Sequence, residues 1–399
     1  MRIETRLLLS NPRARQLRRA CLSGPESECK VTIPGFSAGN CSELEGGLLM
    51  PEVVDWQAIT DAAEAVRRAI EVLEEGGVVS FPTEGLPVLA ASGLAVDAVQ
   101  RLAESGARLD VAVSGEAMAR QWLPALGELP RRLARRLWPG PLVLQSESGA
   151  GAGIASTLPG RVCEIVCPGD SIRLRCPDHD AILEVLARLS APLIVTPTTQ
   201  TEHADFVIAD VIGPYPEATV IAVDGETWRV VSAGAITEDL LRHQSLCLVI
   251  FVCTGNTCRS PLAEALCKKR LADALDCKTE ELPQRGFLVY SAGLAAMMGG
   301  PAAAEAVEVV RSYGTELSGH RSRLLTADLV ARADYLVAMT RDHMEALNDY
   351  YPQSGSRPRL LDPAGEDLAD PIGHPAPVYV ACAEQIWRHL EPLVAELLP

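Results

Sequence analysis

Cys253, Arg259 and Asp370 are the residues whose types and surroundings could do chemistry. The first two lie in FVCTGNTCRSPLAEAL, residues 251–266, where an apolar segment gives way to two cysteines, a glycine, an asparagine and an arginine. Residues 246–252 read as a strand buried on both faces. In open parallel sheets ligands bind just past the carboxyl ends of strands, and Cys253 stands at that edge. Pro261 suits the first position of a helix, and a helix starting there aims its free N–H groups and positive dipole end at the preceding loop. Gly255 permits a sharp turn and a close approach to a ligand. Thr254, Gly255, Asn256, Thr257, Cys258 and Ser260 are therefore candidate phosphate-binding positions between and beside Cys253 and Arg259. Arg259 adds a planar fork that matches phosphate oxygens. A cysteine reacts as its thiolate, and a helix N-terminus and a guanidinium both stabilise an anion. A sulfur nucleophile inside a phosphate cradle implies phosphoryl transfer to sulfur.

A leaving group without a proton leaves slowly, so a second group is required. DLADPIGHP supplies Asp370 in a loop before the last helical pattern. Pro371 restrains the backbone immediately after the carboxylate, which lets the acid be held over the site.

VCTGNTCRSPLAEAL, SAG at 291–293, HRSR at 320–323, DYLVAM at 334–339 and DPIG at 370–373, in that order, resemble the low-molecular-weight protein tyrosine phosphatases over residues 246–399. The resemblance implies a doubly wound parallel sheet. It makes Cys253 the nucleophile that becomes a cysteinyl-phosphate, Arg259 the grip on the transferring phosphoryl, and Asp370 the acid that then activates water. It also implies that Asn256, Ser260, Ser291 and His320 hold the loop, and that Cys258 can trap Cys253 in a reversible disulfide. Tyrosine-directed members carry an aliphatic residue at the place of Thr257 and an aromatic pair after Asp-Pro. Here those places hold Thr257 and Ile372-Gly373. CTGNTCRSP is nearer to the bacterial protein arginine phosphatases, which carry Phe where Ile372 stands. Thioredoxin-coupled arsenate reductases share the cradle but relay a disulfide through further cysteines, and none lies between Cys277 and Cys382.

The positioning elements alternate strand and helix: strands at 246–252, 288–291 and 335–339, helices after Arg259, over 302–313, near His343 and from 378 onward. Upstream, Thr60 or Asp61 caps a helical pattern that stops at Gly76. Strands are predicted at 78–81, 142–145, 171–175, 193–196 and 220–223, with helices at 94–104 and 180–189, which makes a mixed α/β domain. GGVVSFPTEGLPVLA, LWPGPLVL, IRLRCPDHDAILEVL and GAI at 234–236 resemble the YrdC-like fold of threonylcarbamoyl-AMP synthases over residues 58–240. The basic segment expected on the nucleotide is Ser105-Gly106-Ala107-Arg108 here, and the Ser-Ala-Asn segment is replaced by Pro197-Thr198-Thr199-Gln200. A retained framework without synthase activity is the expectation. A nucleotide or RNA is a possible partner for it, so a nucleotide- or RNA-binding regulator and a bifunctional synthase-phosphatase stay open beside the phosphatase reading.

The chain has 399 residues, 48% of them hydrophobic, enough for more than one core. Residues 1–50 sustain neither period and read as a disordered extension. Residues 51–245 form the YrdC-like domain and 246–399 the phosphatase domain, with the polar stretch 242–245 separating them. A net charge of −16 argues against general affinity for nucleic acid or anionic membrane, and no apolar run approaches the ~20 residues of a membrane span. No secretory signal is legible, and a cytoplasmic location is expected. Twelve cysteines are scattered; Cys163, Cys167 and Cys176 lack the spacing of a zinc site and read as buried small hydrophobes. Gly149 to Gly153 reads as a flexible surface connection and the sequon at Asn40 as inert. The reaction so read needs no metal and no cofactor, and its partner is a phosphorylated protein.

Overall fold

The computed structural model describes residues 51–210, 217–352 and 358–398. The extension at 1–50 and its sequon lie outside the described residues. Two sheets organise the rest. The larger contains β1 (Glu52–Asp55), β2 (Val78–Phe81), β3 (Val88–Ser92), β4 (Asp110–Ala112), β5 (Leu142–Ser146), β6 (Ile172–Arg175), β7 (Leu193–Pro197), β8 (Phe206–Ala209), β9 (Thr219–Asp224) and β10 (Thr227–Ser232), in the order β1-β8-β2-β3-β7-β4-β6-β5-β9-β10. It mixes parallel pairs, such as β2 with β8, and antiparallel ones, such as β3 with β7. Successive residues of its apolar strands enter two different cores: Val78 and Leu89 face one, Val79 and Val88 the other. Helices cover both faces, so these strands read as continuous apolar runs instead of alternating ones.

The second sheet contains β11 (Cys247–Cys253), β12 (Phe287–Gly293), β13 (Tyr335–Ala338) and β14 (Arg359–Leu360), all parallel, in the order β12-β11-β13-β14. The same division recurs. Val249, Phe251 and Cys253 face the helices Arg259–Ala274 and Ala376–Leu397, while Leu248, Ile250 and Val252 face Val330 and Leu347. The alternation fixes which way the Cys253 sulfur points.

Several expectations need correction. The polar stretch at 242–245 is the last turn of a helix, Glu238–Ser245, capped by Thr237. Gly149 to Gly153 is an ordered turn folded around a carboxylate: Gly149 N–H and Gly151 N–H each donate to Asp170 at 2.7 Å. Helices Glu116–Trp122, Glu128–Leu137 and Gly160–Val166 were not anticipated. The first helix, Ala62–Glu74, takes its N-cap from Asp61, whose carboxylate accepts from the N–H groups of Ala63 and Glu64. Cys167 and Cys176 are buried thiols, their pKa pushed up to about 12 by burial.

One carboxylate gathers several of the bonds between the two sheets' surroundings. Asp334, just before β13, receives Arg132 Nε at 2.8 Å, Arg135 Nη2 at 3.0 Å and Arg136 Nη2 at 2.9 Å, all from helix Glu128–Leu137. It also accepts the N–H of Leu248, at the start of β11, at 2.8 Å. Arg136 donates onward to the carbonyls of Gln244 and Leu246 at 2.7 and 2.9 Å, and to that of Arg332. Among the described residues, no helix is long and apolar enough to cross a membrane.

Candidate active site

β11 ends at Cys253, a residue only 3% exposed, at the floor of the loop. The loop turns at Asn256, which adopts φ +55°, a left-handed conformation that Asn tolerates better than most residues. The sequence pointed to Gly255 for this turn. Gly255 has no such dihedral, and a Cβ there would meet nothing closer than Thr257 Oγ1 at 3.6 Å. The glycine the loop requires is Gly293, at the end of β12, where a Cβ would fall 2.5 Å from the Thr254 carbonyl and 3.0 Å from the Asn256 nitrogen. The helix starts at Arg259, two residues ahead of expectation, so Pro261 is its third residue. Nothing is lost, because the first four N–H groups of a helix have no partner within it.

A network of side chains pins this loop. Asn256 Nδ2 donates to Ser260 Oγ at 3.0 Å and to Ser291 Oγ at 2.8 Å, and its Oδ1 accepts the Arg323 N–H at 2.9 Å. Ser291 Oγ donates in turn to Glu264 Oε2 at 2.6 Å. Ser260 Oγ, having accepted from Asn256, has one proton left, and Cys253 Sγ at 2.9 Å is nearer than the Ala292 carbonyl at 3.4 Å. The Asn256 N–H also points at the sulfur, at 3.3 Å. The sulfur thus faces hydrogen-bond donors, an arrangement suited to an anion. Half-buried His320 donates from Nε2 to the Asn256 carbonyl at 2.9 Å.

Arg259 is 7% exposed and turns toward the arm carrying Asp370: Nη2 meets Asp370 Oδ2 at 2.6 Å and Nη1 donates to the Leu368 carbonyl at 3.3 Å. Asp370 is 43% exposed at its side chain, so the carboxylate sits at the boundary between cradle and solvent. Its Oδ1 accepts the Ile372 N–H at 3.2 Å, in a turn that begins at Pro371. Thr254 is exposed, Gly255 and Thr257 half-buried, and Cys258 buried with its sulfur 3.3 Å from the Tyr379 hydroxyl. All eleven candidate positions therefore gather around one loop.

Four contributors had not been singled out. Glu264 anchors Ser291 and lies one helical turn beyond Ser260, a spacing that marks a shared face. Tyr379 backs Cys258, and the Leu368 carbonyl steadies Arg259. His343 Nε2 lies 2.9 Å from Thr254 Oγ1. Its place three residues after Thr340, which caps helix Arg341–Tyr350, is a sequence signal for a turn that packs back on its cap.

The family model described as low molecular weight phosphotyrosine protein phosphatase matches residues 248–398. Over 150 residues the chain is 33% identical to the probable low molecular weight protein-tyrosine-phosphatase EpsP of Ralstonia nicotianae, covering 37% of this chain and 94% of that protein. The chain belongs to this phosphatase family. By family the enzyme is a phosphoric monoester hydrolase. The phosphatase part is also 32% identical over 153 residues to the protein-arginine-phosphatase of Geobacillus stearothermophilus, covering 37% of this chain and 95% of that one. A crystal structure of a low molecular weight protein tyrosine phosphatase from T. tengcongensis aligns at 34% identity with a TM-score of 0.34, covering 38% of this chain and 99% of that chain. Upstream of the phosphatase part, a YrdC family model described as telomere recombination matches residues 71–227.

The YrdC-like part has its own cavity, of about 350 Å³, with Glu84, Arg108, Asp110, Arg173 and Arg175 among its lining. Arg175 meets Glu84 at 3.2 Å and Arg173 meets the fully buried Asp110 at 3.0 Å. Burial and then the neighbouring Arg173 lower the pKa of Arg108.

Proposed function

We propose that the chain is a protein phosphatase that hydrolyses a phosphorylated side chain, phosphotyrosine or phosphoarginine, in two steps through Cys253. In the first step the Cys253 thiolate attacks phosphorus and a phosphorus–sulfur bond forms. The bond to the phenol oxygen or guanidinium nitrogen breaks, and Asp370 gives that atom its proton. In the second step water attacks phosphorus, loses a proton to the Asp370 carboxylate, and inorganic phosphate departs as the thiolate returns. Arg259 and the N–H groups between Thr254 and Ser260 hold the three equatorial oxygens, where charge concentrates. The observation that carries this reading is the pair of donors aimed at Sγ, from Ser260 and Asn256, with Arg259 and Asp370 already in contact beside them. Asn256, Ser291 and His320 serve as positioning groups, and Cys258 as a reserve thiol.

The test is hydrolysis of an aryl phosphate in the presence of a chelator. Cys253→Ser should lower kcat by at least about a thousandfold. A variant retaining wild-type turnover would sink the assignment. Substrate choice turns on Thr257 and on the rim at Ile372, which is exposed and offers no aromatic wall. Thr257 favours phosphoarginine, whereas Ile372 matches neither branch, and Thr257→Ile should shift the ratio of kcat/KM toward phosphotyrosine. In the upstream cavity, arginines paired with acids support a retained fold without synthase chemistry. Formation of threonylcarbamoyl-adenylate from threonine, bicarbonate and ATP would overturn that. A shift in melting temperature on adding ATP or RNA would instead favour a binding role there.

A further inference from the structure

We propose that His343 is a positioning residue that ties the first residue of the anion cradle to the arm carrying Asp370. The proposal rests on the phosphatase reading above and adds a residue to it. His343 is only 6% exposed. Its Nε2 lies 2.9 Å from Thr254 Oγ1, and its Nδ1 lies 2.7 Å from Thr340 Oγ1. A neutral imidazole has one donor and one acceptor, and each hydroxyl can play either part, so the ring joins the two threonines in either tautomer.

The turn that carries His343 also holds the acid arm. The Arg341 N–H donates to Asp367 Oδ1 at 2.7 Å, and Arg341 Nε lies 3.4 Å from the same oxygen. The Leu368 N–H donates to the Met339 carbonyl at 2.9 Å, while Arg259 grips the Leu368 carbonyl and Asp370 from the other side. Residues 367–370 are therefore clamped between the turn at 339–341 and Arg259. His343 closes the circuit, because its ring carries the position of that turn to Thr254, the residue that follows the nucleophile. An aliphatic residue at 254 could not accept or give this bond.

The charged groups around the ring fit a neutral bridge. Arg259 faces it from the cradle helix, Asp342 from its own helix, and Asp367 and Asp370 from the acid arm. Burial and then Arg259 lower its pKa below the ordinary 6.5, which keeps the ring uncharged at neutral pH.

Loosening this bridge frees the acid arm from the cradle without removing nucleophile, arginine or acid. The loss should fall on proton delivery to the leaving group. The experiment uses the full chain and a pair of aryl phosphates, one with an acidic phenol and one with a weakly acidic phenol. Both kcat/KM values and the inhibition constant of inorganic phosphate are measured. His343→Leu should lower kcat/KM about tenfold for the poor leaving group and no more than about twofold for the good one, with phosphate inhibition little changed. Thr254→Val, which removes the hydroxyl and keeps the cradle N–H, should likewise lose more with the poor leaving group than with the good one. The double variant should lose no more than either single one, because both break the same bridge. His343→Gln, which keeps a donor and an acceptor, should recover to within about threefold of wild type. Equal losses for the two leaving groups, multiplicative losses in the double variant, or a Gln variant as poor as Leu would each overturn the proposal. Failure of the phosphatase reading itself is seen separately, as turnover surviving Cys253→Ser.

Discussion

The phosphatase cradle and the cavity of the YrdC-like part both collect arginines and buried polar side chains, but the first is the more fully knit; in the second, Arg108 reaches Ser171 and Arg175 reaches Glu84 while other polar atoms stay unpaired. Around the cradle, Asn256, Ser260, Ser291 and Glu264 satisfy one another, and Arg259 Nε is the guanidine atom left without a partner. In the cavity, Arg108 Nε, Arg173 Nε, Arg175 Nε and both oxygens of Asp110 lack an aligned hydrogen bond. The Arg173–Asp110 approach at 3.0 Å is an ion pair without hydrogen-bond geometry. Donors fixed in aim before a ligand arrives cost no reorganisation when charge develops, which is the condition for electrostatic catalysis. In the cavity Glu84 and Asp110 offset part of the arginines' charge, and the unpaired Nε groups are not fixed in aim toward one point.

A buried carboxylate in the knit region sharpens the contrast with Asp110. Asp334 accepts four aligned donors, three of them guanidinium groups, and removing it would strand those cations beneath the helix that joins the two sheets. Asp334→Ala should destabilise the full chain by about 3–5 kcal/mol, read as a fall in the denaturant midpoint. A loss under about 1 kcal/mol would show that the junction is held by its apolar contacts instead. The next effect is smaller and falls on activity. Asn256→Ala deletes three hydrogen bonds and strains a left-handed backbone, so kcat/KM should drop about a hundredfold, equivalent to ~2.7 kcal/mol. Near-normal kcat/KM in a folded Asn256→Ala protein would mean that the knot is ornamental and that the contrast drawn here has no catalytic content.

The arrangement of the loop after β11 was legible because its signals are local. A doubly buried strand, Cys253, Arg259 six residues on and a helical pattern all fall within about twenty residues. The helix start was read two residues late for a physical reason. Cys258 occupies the N-cap and its side chain makes no capping bond, so the usual Ser, Asp or Asn signal is missing and the free N–H groups are left toward the cradle. The turn was assigned to Gly255 because glycine is the default for positive φ, whereas Asn256 is paid for its conformation by the bonds its side chain makes. Order in the larger sheet could not be read, since β1 pairs with β8 across some 150 residues and neither strand is long. Helix Glu128–Leu137 was missed because five of its ten residues are charged, and their counterpart Asp334 is about 200 residues away. The place of His343 after Thr340 signals only the local turn; the fold alone brings it to Thr254.

The weakest effects should separate the two regions by the sign of their pH dependence. Burial and Arg259 hold the His343 pKa below 6.5, so between that lowered value and 6.5 the unfolded chain binds more protons than the folded one. Stability therefore rises with pH through this window and is lost on acidification. Asp110 behaves in the opposite sense. Burial outweighs Arg173, Arg175 and Arg108 and raises its pKa above 3.8, so the folded chain binds the extra proton and stability falls as pH rises from 3.8 through the raised value. Asp110→Asn should leave stability at pH 7 unchanged or raise it by up to about 1 kcal/mol, and should remove the falling slope. His343→Gln should remove the rising one. Thermal unfolding of the wild type and both variants across pH 4 to 7 reads both slopes at once. A loss of about 2 kcal/mol or more in Asp110→Asn would mean that the Arg173 pair stabilises the cavity after all, and the upstream site would then be as deliberately built as the cradle.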